Sequence, residues 1–567
     1  MAGFLQTPPR LPDAWIGDRA LRESLRFHLG DDLYATAEDV LADAGATATS
    51  DEVLALARRA ENEPPELTHY STWGERIDEI RVSSAYTELG RLGVRMGVTA
   101  LPYEDSPFRD KARLVWAGLI ALWGPSSALY SCPVAMTDGA ARTLLLHGDL
   151  DDIAVVGRLT TRDPDAAWTS GQWMTETAGG SDVGRTGTLA RRDASGTWRL
   201  YGRKWFTSST TSEMALTLAR PEGAPDGSRG LALFRVHRLL DDGTPNAIYV
   251  RRLKDKLGTR ALPTAELELE GALAHPIGDP YEGGGVRRIS TMLNITRIHN
   301  SLGAVGALSR GLAWARAFAR VREAFGKPLH TLPAHRATLT DIATDHAAAV
   351  ALTMRCCALM GKVEHGSASG DEIDLLRGLT PLTKLSTARW AIAGATEAME
   401  SVGGVGYCED SGLPAVVRNA HVLPIWEGTT NVLALDFLRA ALRHGAFQAV
   451  VDAGRERVGP RLDDPAVGNA ARSVVAALDE VSSRVARLAE DPAAAEGSAR
   501  SVAMSLASTL ACAELVEQGA WAAARGGDRT AAAANRLAER GLLAPVPPSN
   551  LDLAMDDDAG TELPAPS

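Results

Sequence analysis

The sequence has little cysteine, few aromatic residues, no excess of positive charge and no apolar run long enough for a bilayer. The five cysteines, Cys132, Cys356, Cys357, Cys408 and Cys512, form no CxxC and share no spacing with histidine suited to zinc. An odd set without such spacing is read as reduced, structural thiols in a cytoplasm, and no metal centre is expected. Lys and Arg total 59 against 71 Asp and Glu, a net charge of -12, so nothing draws the whole chain to nucleic acid or to an anionic membrane. A DNA partner would need a local basic patch. The longest apolar run, Leu114 to Trp123, stops at Gly124-Pro125 and is about half the ~20 residues that span a bilayer, so it is read as a buried helix and no membrane insertion is expected. The N-terminal "MAGFLQTPPRLPD" lacks a basic segment followed by an apolar core, so neither a secretory nor a transit segment is expected. No internal repeat is present, and no GxGxxG sits between a strand and a helix, so a nicotinamide site is not indicated.

What is present is length and helical periodicity. A chain of 567 residues exceeds one compact core and predicts two to four structural units. Helical spacing dominates from Ala14 to about Leu159, as in "DEVLALARRAENEPPEL" and "KARLVWAGLIALW", and the whole of 1–170 is read as a helical unit. Across 171–284 the pattern changes to short alternating runs, "TWRLYGRKWFTSS", "LALFRVH", "AIYVRRLK" and "AELELEG", separated by turn residues, which predicts a β unit. Long amphipathic stretches return over 285–442 and predict a helical bundle. An Ala- and Arg-rich helical extension follows over 443–545, and the Pro- and Asp-rich 546–567 is read as disordered. From Ala441 to Ser567 there are 12 Arg, no Lys and 18 Asp and Glu, so the extension is acidic. The expected class is α+β, mainly α, in the order helices, sheet, helices.

Within "HVLPIWEGTTNVLALDFLRAAL", Glu427 is the lone acid of an apolar setting, beside Trp426. Thr429, Thr430 and Asn431 before the spaced apolar residues read as an N-cap opening a helix. The carboxylate then either answers the positive end of the helix dipole, a contribution of about 0.3–1 kcal/mol, or serves as a base. The β unit opens with "GQWMTETAGGSDVGRTGT", where Thr175, Ser181 and Thr186 offer hydroxyls and Gly179-Gly180 permit close backbone approach. That loop is either a donor-lined ligand loop or a plain turn.

Taken together, "MTETAGGSDV", "GRKWFTSS", "LKDKLGTRALPTAELELEGALA", "VREAFGKPLHTLPAHRATLTDIA", "AMESVGGVGYCEDSGLPAVVRNA" and "IWEGTTN" resemble, in order and spacing, the acyl-CoA dehydrogenase family over about residues 60 to 440. Within it, "NEPPELTHYSTWGERIDEIR", "WEGTTN" and the C-terminal extension resemble the AidB-type branch. The resemblance implies two helical domains around a β domain, with FAD at their junction and across a subunit interface, usually in a tetramer. By that resemblance Met174, Thr175, Gly180, Ser181 and Val183 line the flavin ring, with Phe206 and Ser208 at positions where the family carries Trp and Thr. Arg322 and Phe325 match the segment that reaches the FAD diphosphate of a neighbouring chain, a solvated helix-end charge being the other reading of Arg322. Gly403 and Gly404 match close-approach glycines near FAD, and Trp426, Thr429 and Asn431 lie on the turn that joins base and cofactor. Glu400 stands where classical members carry Gln, a departure shared with the AidB-type branch that weighs against the usual FAD contact there. Arg297 matches an arginine at the substrate entrance, with a helix-capping or ion-pair role as the alternative.

The implied activity is α,β-dehydrogenation of an acyl thioester, with Glu427 as base and flavin N5 as hydride acceptor, and an electron-transfer flavoprotein or oxygen as the next acceptor. Two other functions compete. One is an oxygen-using flavin oxidase or N-hydroxylating monooxygenase on the same fold. The other is an AidB-type, DNA-associated protective flavoprotein of the alkylation response, which the acidic charge balance argues against.

Overall fold

The computed structural model describes residues 7–488 and 491–545, so the reading of 546–567 as disordered lies outside the described residues. The N-terminal helices are α1 (Ala14–Gly17), α2 (Arg19–Leu29), α3 (Asp31–Ala48) and α4 (Asp51–Asn62), followed, after a hairpin, by α5 (Ser84–Met96), α6 (Ala112–Trp123), α7 (Ser131–His147) and α8 (Leu150–Leu159). Several start on a side-chain cap: Ser50 caps α4, and Asp149 forms a capping box with Asp152 on α8. Every residue of α6 is buried, as its uninterrupted apolar sequence predicts.

The hairpin corrects the reading of 1–170 as helical throughout. Strands β1 (Glu66–Tyr70) and β2 (Arg76–Arg81) pair antiparallel within "ELTHYSTWGERIDEIR". The hairpin is fixed from the β unit: the Asp78 carboxylate accepts from the Val250 N–H at 2.9 Å, Arg76 donates to the Val250 carbonyl at 3.1 Å, and the Arg76 guanidinium lies 4.7 Å from the centre of the Tyr249 ring. The two segments alternate with period 2, a pattern obscured by the helical runs on either side.

The β unit comprises β3 (Ser170–Trp173), β4 (Leu189–Arg192), β5 (Trp198–Ser208), β6 (Met214–Pro221), β7 (Ala232–His237), β8 (Ile248–Leu253) and β9 (Thr264–Pro276). The strand order is β3-β6-β4-β5-β9-β7, with β8 on β9, and β6 also pairs β7, so the strands close on themselves. Trp173, Trp198, Phe234 and Leu267 fill the interior. Strand β6 is buried along almost its whole length, which is why it shows no alternation and is not among the runs picked out from the sequence.

The bundle is built from α9 (Gly285–Val321), a two-residue hairpin of β10 (Glu323–Ala324) and β11 (Lys327–Pro328), α10 (Pro333–Glu364), α11 (Gly370–Val402), α12 (Leu413–Ala420) and α13 (Thr430–His444). The extension adds α14 (Ala446–Val458), α15 (Gly468–Leu488), α16 (Pro492–Ala523) and α17 (Arg529–Arg540). It shares one continuous core with the bundle and the N-terminal helices, and Arg536 and Arg540 of α17 pair with Asp341 and Asp345 of α10 at 2.8 Å each. Among the described residues one helix, Ala493–Ala523, is long and apolar enough to cross a bilayer, but 78% of its apolar window is buried within the protein.

Candidate functional site

Glu427 lies in the turn between α12 and α13, and Thr429 caps α13 by accepting from the Val432 N–H. The carboxylate is therefore two residues ahead of the cap. It accepts from the Thr296 hydroxyl of α9 at 2.6 Å and lies 3.5 Å from the Gln172 amide nitrogen of β3. Its backbone is left-handed, φ 55°, as is Gly428 at φ 95°. A non-glycine residue held there costs about 1–2 kcal/mol, so its surroundings must hold it.

Those surroundings are cationic and come from two helices. Lys384 of α11 is fully buried and donates to the Trp426 carbonyl at 2.7 Å and the Gly428 carbonyl at 2.6 Å. Burial pushes the Lys384 ammonium down to about 7, against the attraction of Glu427. Arg297 approaches the Glu427 carbonyl at 3.4 Å and pairs with Asp436 of α13 at 2.9 Å, where Arg377 of α11 also pairs at 2.7 Å. Arg297 thus forms an ion pair and braces the turn from α9. Trp426 donates its indole N–H to the Asn300 side-chain oxygen.

Glu427 and Trp426 form one edge of a cleft whose other walls are Leu129, Cys132 and Met136 around α7 and His299 and Gly303 of α9. Its lining is mostly apolar, as an alkyl chain requires. The reading of all five cysteines as structural suits the buried Cys356, Cys357 and Cys512, whereas Cys132 faces this cleft and Cys408 is exposed. Burial pushes the Cys132 thiol up to about 12, the charge of Glu427 acting in the same direction, so it is an inert wall and not a nucleophile.

The residues that resemblance assigns to the flavin ring begin two positions after Gln172 of β3. Gln172 lies 3.5 Å from the Glu427 carboxylate, and Met174 and Thr175 follow it after Trp173. The Trp205 N–H donates to the Thr175 carbonyl at 2.9 Å, which brings Phe206 and the end of β5 to the loop. A Cβ at Gly180 would come within 2.8 Å of the Thr175 hydroxyl, so that close approach needs glycine. The Ser208 hydroxyl lies 3.1 Å from that of Thr264. Val183 and Trp426 pack against the same apolar cluster. Lys204 and Glu176 form a buried pair at 2.7 Å that ties the loop to β5.

Arg322, Phe325, Gly403 and Gly404 lie elsewhere. Arg322 caps the C-terminus of α9, and Phe325, with φ 54°, is 96% exposed at the tip of the β10–β11 hairpin. Thr296 and Val321 stand on the same α9, about 37 Å apart at 1.5 Å per residue. Gly403 and Gly404 follow α11 on this same end, where Phe318 of α9 packs on Val402 and Leu413, and a Cβ at either glycine would meet nothing within 4 Å. Glu400 is exposed in the last turn of α11 on the same surface. Asn431 is exposed at the start of α13, 3.5 Å from the Arg500 guanidinium of the extension. Thr296, Gln172 and Lys384 were not picked out from the sequence. Their one signal was rarity in the case of Lys384, since only seven of the 59 basic residues are lysine.

Two helical units surround a closed sheet, and one acid stands between an apolar cleft and a hydroxyl-bearing loop. Comparisons with known proteins agree. Four family models match in succession: Adaptive response protein AidB N-terminal domain over 6–165, Acyl-CoA dehydrogenase middle domain over 171–272, Acyl-CoA dehydrogenase C-terminal domain over 283–442, and Acyl-CoA dehydrogenase 11 C-terminal domain-like over 446–553. Acyl-CoA dehydrogenase family member 11 of Caenorhabditis elegans is 43% identical over 446 residues, 77% of this chain and 72% of that protein. Putative acyl-CoA dehydrogenase AidB of Escherichia coli is 34% identical over 410 residues, 71% and 73% of the two chains. The structure of Caenorhabditis elegans ACDH-11 in complex with C11-CoA superposes with a TM-score of 0.93 at 36% identity, covering 100% of this chain and 98% of that one. The chain belongs to the acyl-CoA dehydrogenase family, FAD-dependent oxidoreductases acting on CH–CH bonds, and carries AidB-like features.

The residues present fit FAD. Among the described residues neither the Thr175 nor the Ser181 hydroxyl has a side-chain hydrogen bond, and the buried side-chain oxygen Oε1 of Gln172 has no partner. Phe206 is 49% exposed at the end of β5, an aromatic wall facing outward beside the loop.

Proposed function

We propose that the protein removes the α and β hydrogens of an acyl thioester, with Glu427 as the base. The observation that carries this reading is the Glu427 carboxylate, fixed by Thr296 at 2.6 Å on the edge of an apolar cleft. The acyl chain occupies the cleft between α7 and α9, where its alkyl carbons displace water from Leu129 and Met136. Glu427 takes the α-proton on its carboxylate, and the electrons of that C–H bond become the Cα=Cβ double bond as the β-hydride departs. When bound, FAD supplies the two-electron acceptor for that hydride. Thr175, Ser181, Phe206 and Ser208 orient the ring face, and exclusion of water by Trp426 and the cleft walls keeps the proton on the acid until product leaves. The acyl-CoA held by ACDH-11 in its crystal structure supports a CoA thioester as the substrate class.

The second element of the proposal is an oligomer, a homotetramer as is usual in the family, in which the hairpin of one chain completes the FAD site of another. The separation of about 37 Å along α9 supports it. The test is anaerobic bleaching of the flavin by the C11-CoA thioester, comparing wild type with Glu427→Gln. Collapse of the rate with FAD and melting temperature retained supports the reading, and equal rates reject it.

A further inference from the structure

We propose that Lys384 is the positioning residue of the reaction, holding the turn on both sides of Glu427 so that the carboxylate faces the cleft. This rests on Glu427 being the base. Three successive carbonyls, of Trp426, Glu427 and Gly428, are each held by a cation: the outer two by Lys384 at 2.7 and 2.6 Å, the middle one by Arg297 at 3.4 Å. The backbone dihedrals lying between the outer two carbonyls are those of Glu427 and Gly428, both left-handed. One ammonium bound to both oxygens therefore sets those dihedrals, and with them the direction of the Glu427 side chain.

The choice of partner separates this role from ordinary burial of a lysine. Lys204, equally buried, pairs with a carboxylate, Glu176, at 2.7 Å. Among the described residues Lys384 forms no ion pair at salt-bridge distance, and both of its hydrogen bonds go to backbone oxygens of the turn. A buried ammonium without a bonded carboxylate is costly, and here the nearby charge of Glu427 offsets only part of that cost, burial and the Arg297 charge still holding the ammonium down to about 7. The three rotatable donors of a compact ammonium suit two oxygens on a sharply bent chain, whereas the planar fork of a guanidinium matches a carboxylate best. The chain keeps lysine here although arginine supplies most of its cations.

The test is a double-mutant cycle of Lys384→Met and Glu427→Gln in the FAD-loaded full chain. Flavin content, sedimentation and melting temperature are measured alongside single-turnover bleaching by the C11-CoA thioester, protonated or deuterated at the α carbon. Lys384→Met is expected to keep FAD and to leave half-saturation by the thioester within about twofold. The bleaching rate is expected to fall on the order of 10²-fold, as misplacement of a reacting group does, with a larger α-deuterium isotope effect. In the Glu427→Gln background the same change should add nothing, because its route of action is gone. Equal bleaching rates for wild type and Lys384→Met overturn the proposal, as does a loss that multiplies with that of Glu427→Gln, which marks general structural damage. If Lys384→Met does not fold, Lys384→Gln, which retains donors, enters the same cycle and is judged by the same two outcomes. A Glu427→Gln chain that bleaches at the wild-type rate defeats the base assignment itself, whereas a collapsed Glu427→Gln with an intact Lys384→Met defeats the positioning role alone.

Discussion

The two ends of α9 are built in opposite ways. At its N-terminal end Thr296 and Arg297 meet a turn whose carboxylate and carbonyls are bound from within the chain by Thr296, Arg297 and Lys384. At its C-terminal end a short hairpin carries Phe325 almost wholly into solvent, and Gly403 and Gly404 face open space. A turn that is tied down internally is suited to proton transfer, which needs a reacting atom held to fractions of an ångström. A hairpin with a bare aromatic tip is suited to meeting something from outside the chain. In the proposed oligomer, this difference divides one site into a half that each subunit completes alone and a half that it offers to a neighbour.

The comparison breaks most severely at Glu427. Glu427→Gln keeps shape and removes proton acceptance, so bleaching by thioester should fall by about 10⁴-fold, the upper end for a general base, with FAD content and melting temperature nearly unchanged. At the other end, Arg322→Ala should weaken FAD retention by about 10–100-fold, the scale of one charge-assisted phosphate contact, and Phe325→Asp should shift the sedimentation profile toward smaller species. Neither should alter the position of Glu427, so reconstitution at high FAD should restore the bleaching rate. A monomer that holds FAD as tightly as wild type would remove the division altogether.

Smaller effects sharpen the internal half. Thr296→Val deletes the 2.6 Å hydrogen bond to the base and should slow bleaching by about tenfold, near the net value of one bond to a charged group. The buried Lys384 should make stability depend on pH. Its proton is held only up to about pH 7 in the folded chain, against an ordinary value of 10.5. Between those values the unfolded chain binds the extra proton, so stability rises with pH across that window, while below pH 7 the cost of the buried charge is borne in full. Against Lys384→Met, wild type should gain on the order of a few kcal/mol from about pH 7 to about pH 10, read from denaturant midpoints. The smallest effect concerns the outer surface: with a net charge of -12 and an acidic extension, binding to duplex DNA at physiological salt should be weak. A micromolar complex with a steep salt slope in a mobility-shift titration would favour the DNA-associated reading.

The internal half was harder to read from the sequence than the external one. Arg322, Phe325, Gly403, Gly404 and Glu427 each sit in a short window whose residues occur together, so resemblance points to them. The partners of Glu427 do not: Gln172, Thr296 and Lys384 are 255, 131 and about 43 residues away along the chain, and each looks ordinary in its own segment. "LTKLSTARW" reads as any helix with one lysine. The hairpin β1–β2 was missed because its fixing contacts come from Tyr249 and Val250, and β6 because burial on both faces erases alternation. Helical order, the middle sheet and the extension were legible, since their periodicity is local.

The shared core of the N-terminal helices and the extension also bears on how the chain is made. Phe27 of α2 packs edge-on to Trp521 of α16 with ring centres 5.7 Å apart, and Thr530 donates to Glu23 across 507 residues of sequence at 2.6 Å. A ribosome adding 5–20 residues per second needs roughly 25–100 s to supply the second half of that contact. Throughout that interval the Phe27 edge of the newborn α2 lacks its final cover, although α3, α6 and α10 close on the rest of the helix earlier.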